Sequence, residues 1–157
     1  MSDTTLLLLA GATALNGILA GASLDQSIKQ LPARHRIGPV AYSTYSRASD
    51  LGNGILWLAS IGIGSALLSV AVAVVAYVQG LSIVQALPIY SAAVLSILHS
   101  FITARAAPTN FSQRNYENDV PRLALIFDRF ARLQALRAFV QVVTFGMLLW
   151  ALVSYSH

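Results

Sequence analysis

The sequence predicts an all-α fold, a four-helix transmembrane bundle of up-down topology, and three observations carry that prediction. All ten Lys and Arg residues fall in two segments: Lys29, Arg34, Arg36 and Arg47 in the first, Arg105, Arg114, Arg122, Arg129, Arg132 and Arg137 in the second. The stretches 4–24, 51–104 and 138–157 contain no Asp, Glu, Lys or Arg at all. The chain of 157 residues is 56% apolar and only 10% charged, against about 25% charged in a typical soluble domain. A charge at the bilayer centre costs about 3 kcal/mol or more, so charge-free runs flanked by cations mark membrane spans.

The spans follow from length. A hydrocarbon core of about 30 Å needs about 20 helical residues. The run 4–24 suffices for one crossing, whereas 51–104 is too long for one and right for two. Its only break is Gln79-Gly80-Leu81-Ser82, which predicts spans near 51–78 and 83–104, and a last span near 134–156 makes four. The whole chain, 1–157, reads as one membrane domain. The basic segments then lie on one side, expected to be cytoplasmic by the positive-inside rule, with both termini on the other. The first span resembles a cleaved leader at Ala20-Gly21-Ala22, but its start carries Asp3 and no Lys or Arg, so it is expected to be a retained helix. The expected location is an integral, multi-pass position in a plasma or inner membrane.

The cytoplasmic loops, 25–50 and 105–133, have some internal order. Pro32, Gly38 and Pro39 predict a broken, surface-lying first segment. In the second, Asn118 or Asp119 is placed to cap a helix with Pro121 in its first turn. Leu123, Phe127, Phe130 and Gln134 continue that helix at spacings of three and four, so the fourth helix is expected to extend into the cytoplasm. Arg122, Arg129 and Arg132 fall on its other face, facing solvent or lipid headgroups.

Polar residues within the spans define the candidate site. His99 is the one side chain in the interior of the apolar runs that ionises near neutrality, about 8 Å from the cytoplasmic boundary by helical rise. Ser96, His99 and Thr103 share a helical face, as do Asn53, Trp57 and Ser60, Thr13, Asn16 and Ser23, and Gln134, Arg137, Gln141 and Thr144. Each set lies toward the basic end of its span. Four inward polar stripes at one depth predict a pocket opening toward the basic segments. The competing reading for each residue is helix packing, Asn16 beside Gly17-xxx-Gly21 being the clearest case; that spacing also leaves a homo-oligomer open.

Several classes are excluded. The formal charge of +4 flanks apolar spans, so nucleic acid is not an expected partner. Without cysteine there is no disulfide, thiolate metal site or Cys nucleophile. His35 falls in a loop and His157 at the opposite face, so no metal site is expected, although a single-His haem site near His99 stays open. No carboxylate lies within the spans, which weakens a proton-coupled transporter.

Pro108-Thr109-Asn110 after the third span, and Phe130-xxx-Gln134-xx-Arg137 entering the fourth, resemble the anthrone-oxygenase-like family of small four-helix membrane proteins. That family tends to carry Pro-x-Asn and Trp-xxx-His-xx-Arg at these places, so Phe130 replaces the Trp and Gln134 the His. Gly17 and Gly21 of the first span are also similar. The resemblance implies cofactor-independent oxidation of an apolar, aromatic or quinone-like molecule by dioxygen. It implies His99 as base and Arg137 as anion stabiliser, with Asn110 or Asn16 as orienting amides. Asn53, Trp57, Phe130, Gln134 and Gln141 complete the expected substrate-binding set. The alternatives are a non-enzymatic lipophile-binding or assembly-subunit protein and, third, a small transporter. Membrane lipid is an expected partner in every case.

Overall fold

Residues 3–155 are described in a computed structural model, and among them there is no strand. His157, expected at the far face, lies outside the described residues. Helix α1 (Asp3–Asp25) runs through a π-helical turn, Gln26–Gln30, into α2 (Leu31–Ile37). Gly38, at φ 84°, breaks the rod, and Pro39 opens α3 (Pro39–Ala48). The positive φ is accessible to glycine without a Cβ penalty.

A second π-helical turn, Ser49–Asn53, leads into α4 (Gly54–Val78). Gly52 leaves helical geometry there, and a Cβ at Gly54 would lie only 2.6 Å from the Ser49 carbonyl oxygen. The turn at 79–82 contains Gly80 at φ 64°, and Ser82 caps α5 (Ile83–Phe111) by accepting from the Gln85 N–H. A short 3-10 turn precedes α6 (Val120–Tyr155). Asp119 Oδ1 accepts from the Arg122 N–H at 3.1 Å and caps its start. At 36 residues, α6 is about 54 Å long, well beyond the hydrocarbon thickness.

The four long helices form a ring: α1 packs on α4 and α6, and α5 packs on α4 and α6. At the end bearing the 79–82 turn, Leu9, Val72, Ile89 and Leu148 centre an apolar core. At the basic end, Leu31, Tyr42, Leu123, Phe127 and Phe130 form a second one. Tyr42 meets Phe127 edge to face, with ring centroids 4.8 Å apart and planes at 87°. Helix α4 is the most peripheral: 22% of its apolar window is buried, against 39–44% in the other three.

Two expectations are corrected. The first basic segment is not a loop: α2 and α3 are helical and pack with the first turns of α6, a helix as expected, into a cap around Tyr42 and Phe127. Outside the bilayer, water drives such side chains together as in any soluble core. The ion pairs Arg34–Asp128 (2.9 Å) and Arg47–Glu117 (2.7 Å) rim the cap, and burial raises the Tyr42 hydroxyl above its ordinary range. Second, Asn53, Trp57 and Ser60 face outward. The buried face of α4 is Ile61, Ser65, Ser69, Val72 and Ala76. Lipid tails are as apolar as a helix interface, so the apolar side chains of α4 suit either face, and Asn53 and Trp57 lie at its basic end, where headgroups and water can meet them.

Candidate functional site: a polar cleft between α4, α5 and α6

The interior polar residues form two groups at different depths. The deeper one is a closed clamp. Asn16 on α1 donates through Nδ2 to Ser69 Oγ on α4 at 3.1 Å and to the Ala12 carbonyl at 2.8 Å. Gln141 on α6 donates through Nε2 to Asn16 Oδ1 at 2.7 Å. Three helices are thereby joined by buried bonds that leave Asn16 committed, which is the packing role weighed for it. Gly17 lets α6 approach, since a Cβ there would sit 3.0 Å from the Phe145 ring.

One to two turns nearer the basic end the chemistry is open. Gln134 is fully buried and donates to the Ser23 carbonyl at 3.3 Å, while its Oε1 accepts from Arg137 Nη1 at 2.9 Å. Arg137 is aimed by this bond, yet its Nε is buried without a partner, and among the described residues it makes no ion pair. His99 on α5 is 6% exposed, and its Nε2 is also buried without a partner. Thr103 donates to the His99 carbonyl at 2.9 Å, so the hydroxyl secures the backbone and not the ring. Ser96, one turn away on the same face, likewise has an unpartnered hydroxyl.

His99 and Arg137 line one cavity of about 340 Å³ whose other walls are mainly apolar, including Leu19, Leu58 and Ile63. A neighbouring space of about 240 Å³ shares Leu58, Thr103 and Arg137 with it and adds Asp50, Asn110 and Phe130. The seam between α4 and α5 is made of small residues: Ala59, Gly62, Ser100 and Ala104. The two spaces form a bent cleft along this seam.

Asp50 is held by Ser46 at 2.9 Å and Ser49 at 3.4 Å, with Gln26 a further donor. Ser46 in turn accepts from Gln113, which also donates to Asn110 Oδ1 at 2.8 Å. A hydrogen-bonded line thus runs from the end of α5 through α3 to the cleft wall.

The cleft brings together His99, Arg137, Phe130 and Asn110, with Gln134 positioning Arg137. It does not include Asn16 and Gln141, which bond each other. Trp57, 59% exposed, borders a different cavity between α1 and α4, and Asn53 lies on the exposed outside. Sequence reasoning missed Leu58, Gln26 and Gln113. Gln26 and Gln113 had a signal, being uncharged amides among the basic segments; Leu58, one leucine among many, had none.

A buried guanidinium and imidazole with free nitrogens in an apolar cleft can receive a carbonyl or oxyanion and can accept a proton. Among the described residues there is no cluster of three His, Cys, Asp or Glu that would hold a metal. Four apolar helices of spanning length, with this cleft toward their charged end, define a multi-pass integral membrane protein. No family model, no curated protein and no solved structure matches the chain.

Proposed function

We propose that the cleft binds an apolar, aromatic or quinone-like small molecule and that the protein oxidises it with dioxygen without a cofactor. One observation carries the reading. His99 Nε2 and Arg137 Nε are both buried and unpartnered, and both residues line the same largely apolar cavity. An unpaired buried polar group is costly, so two such groups, on residues that wall one cavity, suit a ligand that supplies an oxygen when these side chains turn to it. The positive-inside rule supports the basic end as cytoplasmic.

The chemistry follows from the two groups. His99, as neutral imidazole, takes an acidic C–H proton from the ring carbon opposite the carbonyl. The electron pair moves onto the carbonyl oxygen, which Arg137 stabilises as a phenolate. The carbanion adds dioxygen to give a peroxide, which loses water, so anthrone and one O2 become anthraquinone and one H2O. His99 returns its proton to the leaving oxygen, and no external reductant enters.

The test is turnover of anthrone by the purified protein under oxygen, alongside His99→Ala and Arg137→Ala. Loss of a general base lowers the rate by about 10²–10⁴-fold, and loss of the stabilising cation by about 10²–10³-fold. Equal rates in all three proteins would overturn the catalytic roles. Ligand binding without turnover, weakened by Arg137→Ala, would favour a lipophile-binding protein instead.

A further inference from the structure

A separate cavity of about 430 Å³ lies between α1 and α4 at the basic end. Both π-helical turns flank it: Gln26 and Gln30 come from the first, Ser49 and Asp50 from the second. Asp25 and Tyr45 add to its polar lining, and Gly21 leaves it open, a Cβ there meeting nothing within 4 Å. A volume of this size holds on the order of ten waters, each of which needs two to four polar partners. The polar side chains of the lining anchor the first of them, and further waters bond one another.

This cavity is continuous in its walls with the cleft. Gln26 and Asp50 border both it and the space beside Arg137. Leu58 borders all three spaces, up to the one containing His99. Asp50 accepts only from neutral donors, Ser46, Ser49 and Gln26, and pairs with no cation. Burial outweighs these donors and raises the Asp50 carboxyl above its ordinary range, which suits a group that exchanges protons with the cavity it borders. On the opposite flank, the small residues of the α4–α5 seam face lipid.

We propose that the α1–α4 cavity is the aqueous vestibule of the cleft, that water and protons reach Arg137 and His99 past Asp50, and that the Leu58 side chain is the partition. An apolar ligand then arrives between α4 and α5 while proton exchange uses the other side. The use of this route rests on the proposed ligand reading, but the route itself is testable without any ligand.

The chain contains no cysteine, so Thr103→Cys introduces a single thiol facing both inner spaces, beside Arg137. Its modification is measured in liposomes with a charged, membrane-impermeant methanethiosulfonate and with lipid-soluble N-phenylmaleimide. Adding Leu58→Ala should speed the impermeant reagent by about tenfold or more, since access limits thiolate reactivity. Adding Gly21→Trp should plug the vestibule and slow it by a similar factor. The lipid-soluble reagent should change little in either case. Ser82→Cys, in the exposed turn at the far end, is labelled in detergent, where both ends are accessible, and should react alike in the Leu58→Ala and Gly21→Trp backgrounds if these fold. Impermeant labelling that ignores Gly21→Trp, or that fails even with Leu58→Ala, would overturn the vestibule. Neither result depends on anthrone turnover, so each proposal fails separately.

Discussion

Gln141 donates to Asn16 across the α1–α6 interface at 2.7 Å, and the same Asn16 donates onward to Ser69 of α4. Because α5 contributes nothing to this clamp, α1, α4 and α6 are held as a unit below the cleft. The α4–α5 seam above it carries no comparable polar tie, and there the bundle opens.

Asn16→Leu should therefore destabilise the bundle, because it removes the 2.7 Å partner of the Gln141 amide and leaves it only the long bond to the residue 16 carbonyl at 3.4 Å, at a cost of about 1–3 kcal/mol. The double variant Asn16→Leu, Gln141→Leu should recover most of the loss, since neither amide is left unpaired. A double-mutant cycle on unfolding in mixed micelles measures this; additive losses would show that the bond is not shared as described.

Gly54→Ala should be far more damaging than Gly21→Ala. The added Cβ at 54 meets the Ser49 carbonyl at 2.6 Å, whereas at 21 it meets nothing within 4 Å. Forcing the π turn open is expected to cost about 1–3 kcal/mol, while alanine at 21 improves helix propensity by up to about 1 kcal/mol. Thermal unfolding of the two variants in detergent separates them.

Gln134→Glu should remove the free cation, while losing only the long 3.3 Å bond from the Gln134 amide to the Ser23 carbonyl. Its carboxylate takes the place of Oε1, 2.9 Å from Arg137 Nη1, and pairs the guanidinium. Affinity for a carbonyl-bearing probe such as anthraquinone is expected to fall by about tenfold, the loss of one charge-assisted hydrogen bond. Unchanged affinity, read by tryptophan quenching, would mean that Arg137 does not meet the ligand.

The cap predicts a contrast between adjacent residues. Phe127 is fully buried against Tyr42, so Phe127→Ala should cost about 3–5 kcal/mol. Asp128 is half exposed and Arg34, its largely buried partner, keeps its bond to the Leu31 carbonyl, so Asp128→Ala should cost about 1 kcal/mol. Similar losses in the two variants would argue against a packed cap.

The orientation has its own measurement. A reporter active only outside the cytoplasm, fused to the C-terminus, should be active, and an inactive fusion would reverse the assignment of sides.

The sequence by itself determined what depends on local composition. The number of long helices, the turn at Gly80, the break at Gly38, the Asp119 cap and the long extension of α6 all follow from apolar length, charge exclusion and backbone chemistry. The tertiary structure alone decided which polar groups meet. In lipid, apolar side chains are at home on either face of a helix, so periodicity did not show that α4 turns Ser69 inward and Asn53 outward. Nor could spacing tell that Gln141 is spent on Asn16 while His99 and Arg137 keep free nitrogens. Satisfaction of a buried polar atom depends on its neighbours from other helices, and those are fixed only when the four helices pack.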